Sequence, residues 1–235
     1  MSDFKRVDRE KIFHNKRFIQ ESPSKSKYYK ALSYWYRDYI SYVSTVSSIS
    51  LLELGSGDES ITQLIDNKNI SISSIDISEE AIEKMQSKKI IGSKFYVMDA
   101  HNTDFDSSTF DLIVGRGILH HLDLKVAINE IKRLLKSNGR ILFGEPLNCN
   151  IFINMYRFFT PAIRTADERP LSRKDIQFIY RNFPNLKIKY YGFLTLFFSI
   201  FDLDSPLLVH YLDNILLNKA RLGKFLAWSV LIYSK

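Results

Sequence analysis

Five short stretches of this chain end in residues able to do chemistry. Glu53, Gly55 and Gly57 close "LLELGSG" (51–57), Asp76 closes "SISSID" (71–76) and Asp99 closes "KFYVMD" (94–99). Gly115 and Arg116 close "FDLIVGR" (110–116), and Glu145 closes "RILFGE" (140–145). Glycines lack a Cβ, so a ligand can lie against bare backbone. An aspartate at a strand end offers two acceptor oxygens to a diol. Asp76 stands 21 positions after Gly55, where an acidic side chain of a nucleotide-binding sheet meets both ribose hydroxyls. Asp99 suits an adenine amino group or the ribose rim. Either carboxylate repels a 2′-phosphate, so the pattern asks for a nucleoside without one.

Proton transfer has its own candidates. His120 and His121 follow the fourth stretch, and imidazole titrates closest to neutral pH; both read as catalytic bases or as structural residues of a turn. Glu145 reads as a group that orients a substrate or caps a loop. His14 belongs to the N-terminal cover, as a catalytic or a helix-surface histidine. Tyr28, Tyr29 and Tyr36 can lie over a ligand with a flat face and a hydroxyl, or simply pack a helix. Arg164, Thr165, Asp167, Glu168 and Arg169 crowd one segment and either read a polar substrate group or form surface salt links. No metal-ligand set is assigned.

These residues need elements to hold them. The five stretches are short and β-rich, and helical patterns lie between several of them, which predicts an α/β fold with a mostly parallel sheet. "SEEAIEKMQSK" carries Ser78 as N-cap with Glu79 and Glu80 in the first turn. "LKVAINEIKRLLKSNG" buries Ile128, Ile131, Leu134 and Leu135 on one face, with a predicted stop at Asn138-Gly139. The link between the third and fourth stretches leaves room for little more than a turn. Residues 1–48 are predicted as a helical cap and 49–235 as the α/β domain. An insertion at 147–185 lies on the substrate side, and its helix starts at a Ser172/Asp175 capping box. "KIKYYGFLTL" and "KFLAWSVLIYSK" read as strands around a helix near 206–219, the last strand antiparallel at the end of the sheet.

The chain has 235 residues, 45% of them hydrophobic, enough for one good core. Cys149 is its single cysteine, which excludes an intramolecular disulfide and fits a reducing compartment. "MSDFKRVDREK" is too charged for a secretory signal, and "YYGFLTLFFSIF" (190–201) is too short to span a bilayer. A soluble cytoplasmic protein is expected. The net charge of +7 comes from scattered Lys and Arg, so no nucleic-acid partner is expected. Oligomeric state is not legible.

NAD and S-adenosylmethionine are both nucleosides of the required kind. The dinucleotide fingerprint needs a third glycine, whose place here holds Glu59 or Ser60. In order, "LLELGSG", "IDIS", "VMDA", "FDLIVGRGILHHL" and "EIKRLLKSNGRILFGEPL" resemble the class I methyltransferases that use S-adenosylmethionine. That resemblance implies a Rossmann-like, doubly wound sheet of seven strands with an antiparallel last strand. It implies that Glu53, Gly55, Ser56 and Gly57 shape the loop under the cofactor's methionine part, with Gly115 and Arg116 near the same group. Asp76 would take the ribose, Ile77 would pack on adenine, and Asp99 with Ala100 would meet the adenine edge. Glu59 departs from the family pattern and either crowds the cofactor or turns to solvent. "IFHNKRFIQES" and the stretch from 145 to 171 are also similar to bacterial methyltransferases acting on small molecules or lipids. The expected reaction is methylation of a small, partly hydrophobic or lipid-like acceptor, on O or N ahead of C. A cofactor-binding protein without turnover, or a nucleic-acid methyltransferase, are the alternatives. The apolar C-terminal segments read as an edge strand and a packing helix, or as a surface for lipid.

Overall fold

The five stretches with chemical tips are strands in the computed structural model, which describes residues 2–19, 27–46, 49–65, 70–159, 168–183, 185–201 and 203–234. The strands are β1 (Ser50–Leu54), β2 (Ser71–Asp76), β3 (Ser93–Val97), β4 (Phe110–Arg116), β5 (Leu135–Pro146), β6 (Leu186–Tyr191) and β7 (Ser229–Ser234). They form one sheet in the order β3-β2-β1-β4-β5-β7-β6. Pairing is parallel from β3 through β5, and β7 runs antiparallel to both β5 and β6. The last strand is thus antiparallel, one place in from the edge that β6 occupies. Chain order reverses between β1 and β4, the crevice where an open parallel sheet takes its ligand.

Two-sided burial follows from alternation along the strands. Leu52, Leu54, Ile113, Ile141 and Phe143 face one way, against α4 (Leu124–Leu134) and α6 (Arg173–Asn182). Leu51, Leu112, Val114 and Leu142 face the other, against α2 (Ser33–Ser44). On that side the Trp35 ring lies on Gly144, where a Cβ would come within 2.0 Å of Trp35 Cζ2. The glycine of "RILFGE" is therefore a seat for the helical cover. α1 (Ser2–Ile19) lies against α3 (Glu79–Ser87), with Lys11 Nζ 2.8 Å from Glu79.

Local signals hold at several ends. Ser78 caps α3, and Ser172 with Asp175 forms the capping box of α6. Residues 98–109 contain no helix, as the short link required. Two expectations are corrected. α4 stops at Leu134, not at Asn138-Gly139, because Leu135 is already extended and paired with Phe110. Residues 136–139 bulge before Arg140 pairs with Leu112, and a Cβ at Gly139 would meet Leu135 Cδ2 at 2.8 Å. The glycine relieves that crowding instead of capping a helix. Both C-terminal strand readings reach too far: "KFLAWSVLIYSK" begins as the single turn α9 (Gly223–Leu226) before β7, and "KIKYYGFLTL" is extended only to Tyr191, its last three residues opening α7 (Leu194–Ile200). Among the described residues, no helix is long and apolar enough to cross a membrane.

Candidate functional site

The loop after β1 is held from beneath. Buried Glu53 accepts hydrogen bonds from Ser60 Oγ (2.5 Å), Ser74 Oγ (2.9 Å) and Ile61 N (2.8 Å). Burial raises its pKa despite Arg116 and those donors. Gly55 and Gly57 take left-handed φ of +67° and +55°, a turn that other residues resist. Gly55 N and Ser56 N donate to Ile75 O, at 2.9 and 3.1 Å. Gly57 N donates to Asp76 Oδ2 and Ser78 N to Asp76 Oδ1, both at 2.9 Å. Asp76 therefore builds the loop and also faces the crevice. Its pKa is raised, chiefly by burial.

A cavity lies at these strand tips, its empty space about 570 Å3 when the open mouth is counted. Gly55, Asp76, Ile77, Asp99 and Ala100 line it, with Ile75, Met98 and Ile118. Asp99 Oδ1 accepts from His101 N (2.9 Å) and lies 2.7 Å from His101 Nδ1. Burial alone would raise Asp99, but these contacts take its pKa below the usual carboxylate value. Ile118 was not singled out in the sequence. It fills the space that side chains at Gly55 and Gly115 would need, 2.8 and 2.6 Å from their ideal Cβ positions.

The opposite wall comes from α1. Arg6, Glu10 and His14, spaced by four, line the cavity beside His121. His121 Nδ1 lies 3.1 Å from Glu10 Oε2, and His14 Nε2 lies 3.4 Å from the same oxygen. Arg6 donates to His121 O at 2.8 Å. Burial lowers the His121 pKa, aided by the charges of His120 and His14 and opposed by Glu10. The ligand atoms of Glu10, His14 and His121 all lie within 4.8 Å of one another, close enough to share a divalent metal. Arg6 and Glu10 escaped sequence reasoning, although their i, i+4 spacing with His14 was visible.

The other candidates lie apart from this cavity. His120 is buried, its Nδ1 2.8 Å from Glu145 Oε2 and its Nε2 3.9 Å from Glu168 Oε1. It lines a second, more open depression with Arg169 and Asp175. Glu145 sits under the loop after β4 and accepts from Ile118 N (3.0 Å), Leu119 N (2.9 Å) and His120 N (3.4 Å). Arg116 donates to Glu59 O, and its guanidinium lies 3.7 Å from the Glu59 carboxylate and 3.9 Å from Glu53. Glu59 is thereby tied to Arg116. Arg164, Thr165 and Asp167, and the side chains of Tyr28 and Tyr29, lie outside the described residues.

The sequence model of the family described as "Methyltransferase domain" matches residues 52–143, the stretch from β1 through β5 that builds this crevice. Residues 52–143 thus match a methyltransferase domain, and the fold around them is the one seen in S-adenosylmethionine-dependent methyltransferases. A curated relative, demethylmenaquinone methyltransferase of Thermotoga maritima, is 29% identical over 119 residues, covering 49% of this chain and 52% of its own length. The chain thus spans about half of that relative. A SAM-dependent methyltransferase from Archaeoglobus fulgidus superposes with a TM-score of 0.59 at 18% identity, over 86% of this chain and 91% of its own. Geranyl diphosphate C-methyltransferase from Streptomyces coelicolor A3(2) does so at 0.58 and 14% identity, over 92% and 86%. These likenesses reach well beyond the matched methyltransferase domain, into the cap and the C-terminal elements.

Just past the matched residues, Glu145→Ala leaves three backbone N–H groups and the His120 ring without their acceptor. Orphaned buried donors cost about 1–3 kcal/mol each before relaxation. The expected result is a loss of at least about 3 kcal/mol in urea unfolding, with the loop after β4 loosened. A change within about 0.5 kcal/mol would show that Glu145 does not hold the loop.

Proposed function

We propose that the chain transfers a methyl group from S-adenosylmethionine to a small, partly hydrophobic acceptor through an oxygen or nitrogen nucleophile. One observation carries this reading: Asp76 and Asp99, from consecutive strand tips, share a cavity with His121 and Glu10 of the helical cover. The residues fit the group. Asp76 keeps acceptor capacity for the ribose hydroxyls beyond its two backbone donors. Ile77, Met98 and Ala100 offer an apolar wall to adenine, and Asp99 an acceptor for its amino group. Ser56 Oγ is buried with no hydrogen-bond partner among the described residues, as expected of a hydroxyl completed by a ligand. Gly57 leaves the methionine end room, while Arg116 holds Glu59 to itself. That pairing favours turnover over a binding protein without it.

When bound, S-adenosylmethionine supplies an electrophilic methyl carbon. This chain's own residues align the acceptor with it, a gain that reaches about 7–11 kcal/mol in well-oriented systems. With His121 Nδ1 held beside Glu10, Nε2 takes the proton that a hydroxyl or ammonium acceptor must lose. His120 and Glu145 position the turn that presents His121. The described parts of the cap (1–48) and of the insertion (147–185) roof the acceptor side. The names of two similar proteins support a partly apolar acceptor, since demethylmenaquinone and geranyl diphosphate both carry hydrocarbon chains. The second of them methylates carbon by its name, so the choice of oxygen or nitrogen rests on His121. A cytoplasmic site of action suits the unpaired thiol of Cys149.

A thermal-shift titration tests the reading. S-adenosylmethionine at a hundredfold its dissociation constant stabilises a one-site protein by about 2.7 kcal/mol. A raised midpoint with it, and none with NADH, is the expected outcome. No shift at saturating S-adenosylmethionine would sink the proposal.

A further inference from the structure

The two segments that leave and re-enter the sheet beyond β5 share one rim. Pro146 at the end of β5 and Tyr191 at the end of β6 both pair with Ser229, so the two strands finish level. Both segments therefore emerge at the carboxyl edge, the edge that carries the Asp76 cavity. They form α5 (Ile151–Phe159), α7 (Leu194–Ile200), α8 (Leu207–Asn214) and α9.

α5 and α8 turn their apolar sides outward. Phe158 and Phe159 are 79% and 73% exposed, and Leu207 and Leu208 are 75% and 65% exposed. On α8 the buried residue is Asp213, which accepts from Phe193 N, Leu194 N and Thr195 N, while His210 stacks on Tyr34. That is the reverse of a helix packed in water. Phe152 meets Phe197 at 5.5 Å and α7 packs on α8, so the three helices present one continuous apolar face. Patches of this kind mark interaction sites. Charge identifies the occupant: residues 146–235 hold twelve Lys and Arg against six Asp and Glu, which is nearly all of the chain's +7. Exposed Lys219, Arg221 and Lys224 adjoin the exposed Leu222 and Phe225, and Arg173 lies 4.0 Å over the Phe225 ring.

We propose that this rim docks on an anionic lipid bilayer, with α5, α7 and α8 inserting their outward apolar side chains and the flanking cations meeting the headgroups. The combination of an apolar helical face and adjoining basic residues is that of interfacial binders. Docking stands on the fold and charge alone. That the acceptor enters from the bilayer rests in addition on the methyl-transfer reading.

Sedimentation of the full chain with vesicles tests it, with no methyl donor present, so failure of methyl transfer cannot mimic failure of docking. The chain is expected to bind equimolar phosphatidylcholine and phosphatidylglycerol at least about tenfold more tightly than phosphatidylcholine alone. Replacing Phe158, Phe159, Leu207 and Leu208 together by Ser should weaken that binding by more than about tenfold, with circular dichroism unchanged. Lys219→Gln, Arg221→Gln and Lys224→Gln together should erase most of the anionic preference. Wild-type protein left in the supernatant with both vesicles overturns the proposal, as does undiminished binding by the Ser variant. Dimers that the Ser substitutions dissociate, without vesicle binding, would instead assign the face to a second copy.

Discussion

Asp76→Asn should weaken S-adenosylmethionine and S-adenosylhomocysteine binding by about a hundredfold or more while the sheet stays folded. A charged acceptor contributes about 1.5–3 kcal/mol per hydrogen bond, and a ribose presents two hydroxyls. The amide retains one acceptor oxygen for Ser78 N, but it turns a donor toward Gly57 N–H, so the loop after β1 loosens as well. Stability should move little. Burial raises the folded pKa of Asp76, so the ionised group costs stability at neutral pH. Its contribution is fully present below the unfolded value and is lost as pH rises through the folded one. Removing the charge offsets part of the damage to the loop. Cofactor affinity should also fall as pH drops through the raised pKa, because a protonated Asp76 loses acceptor strength. Isothermal titration of wild type and variant measures both effects. Equal affinity would show that the ribose is bound elsewhere.

His121→Gln is expected to lower kcat/KM by about 10²–10⁴-fold, the usual contribution of a positioned base, with cofactor binding nearly unchanged. The measurement uses the first acceptor that gives turnover. Its pH profile carries more information than the loss itself. Neutral imidazole is the working form, and burial holds the His121 pKa below the ordinary histidine value. Activity should therefore persist below pH ~6.5 and fall only as pH drops through the lowered pKa. Folding has the same sign. Burying this neutral ring costs stability below its folded pKa, and the cost disappears as pH rises past the unfolded one. Glu10 opposes the downward shift, so Glu10→Gln should move the acid limb to still lower pH. A purely structural role for Glu10 predicts no such movement. NMR titration of the His121 ring reads the same pKa without any acceptor. An acid limb that stays put in both variants would remove His121 as the base.

Different residues were legible to different degrees. The left-handed Gly55 and Gly57, the strand-closing Asp76, and Asp99 just past β3 were visible because each signal is local: a missing Cβ, a polar residue ending a β-run, a capping serine. The end of α4 was misplaced because Asn138-Gly139 is a good local stop, yet pairing of Leu135 with Phe110 claimed the chain first. The roles of Gly115 and Gly144 could not be read at all. Each makes room for a side chain, Ile118 or Trp35, that comes from another element.

By itself, the sequence determined the order of strands and helices and the tips that carry carboxylates, since period and capping act over a few residues. Only the tertiary structure decided which of those polar groups face the cavity. It turned Glu53 and Glu145 inward to backbone donors and tied Glu59 to Arg116. It also brought Arg6 to His121 across 115 residues of chain. The reason is that a buried polar side chain goes wherever its hydrogen bonds can be completed, and those partners are supplied by packing, not by neighbours in the chain.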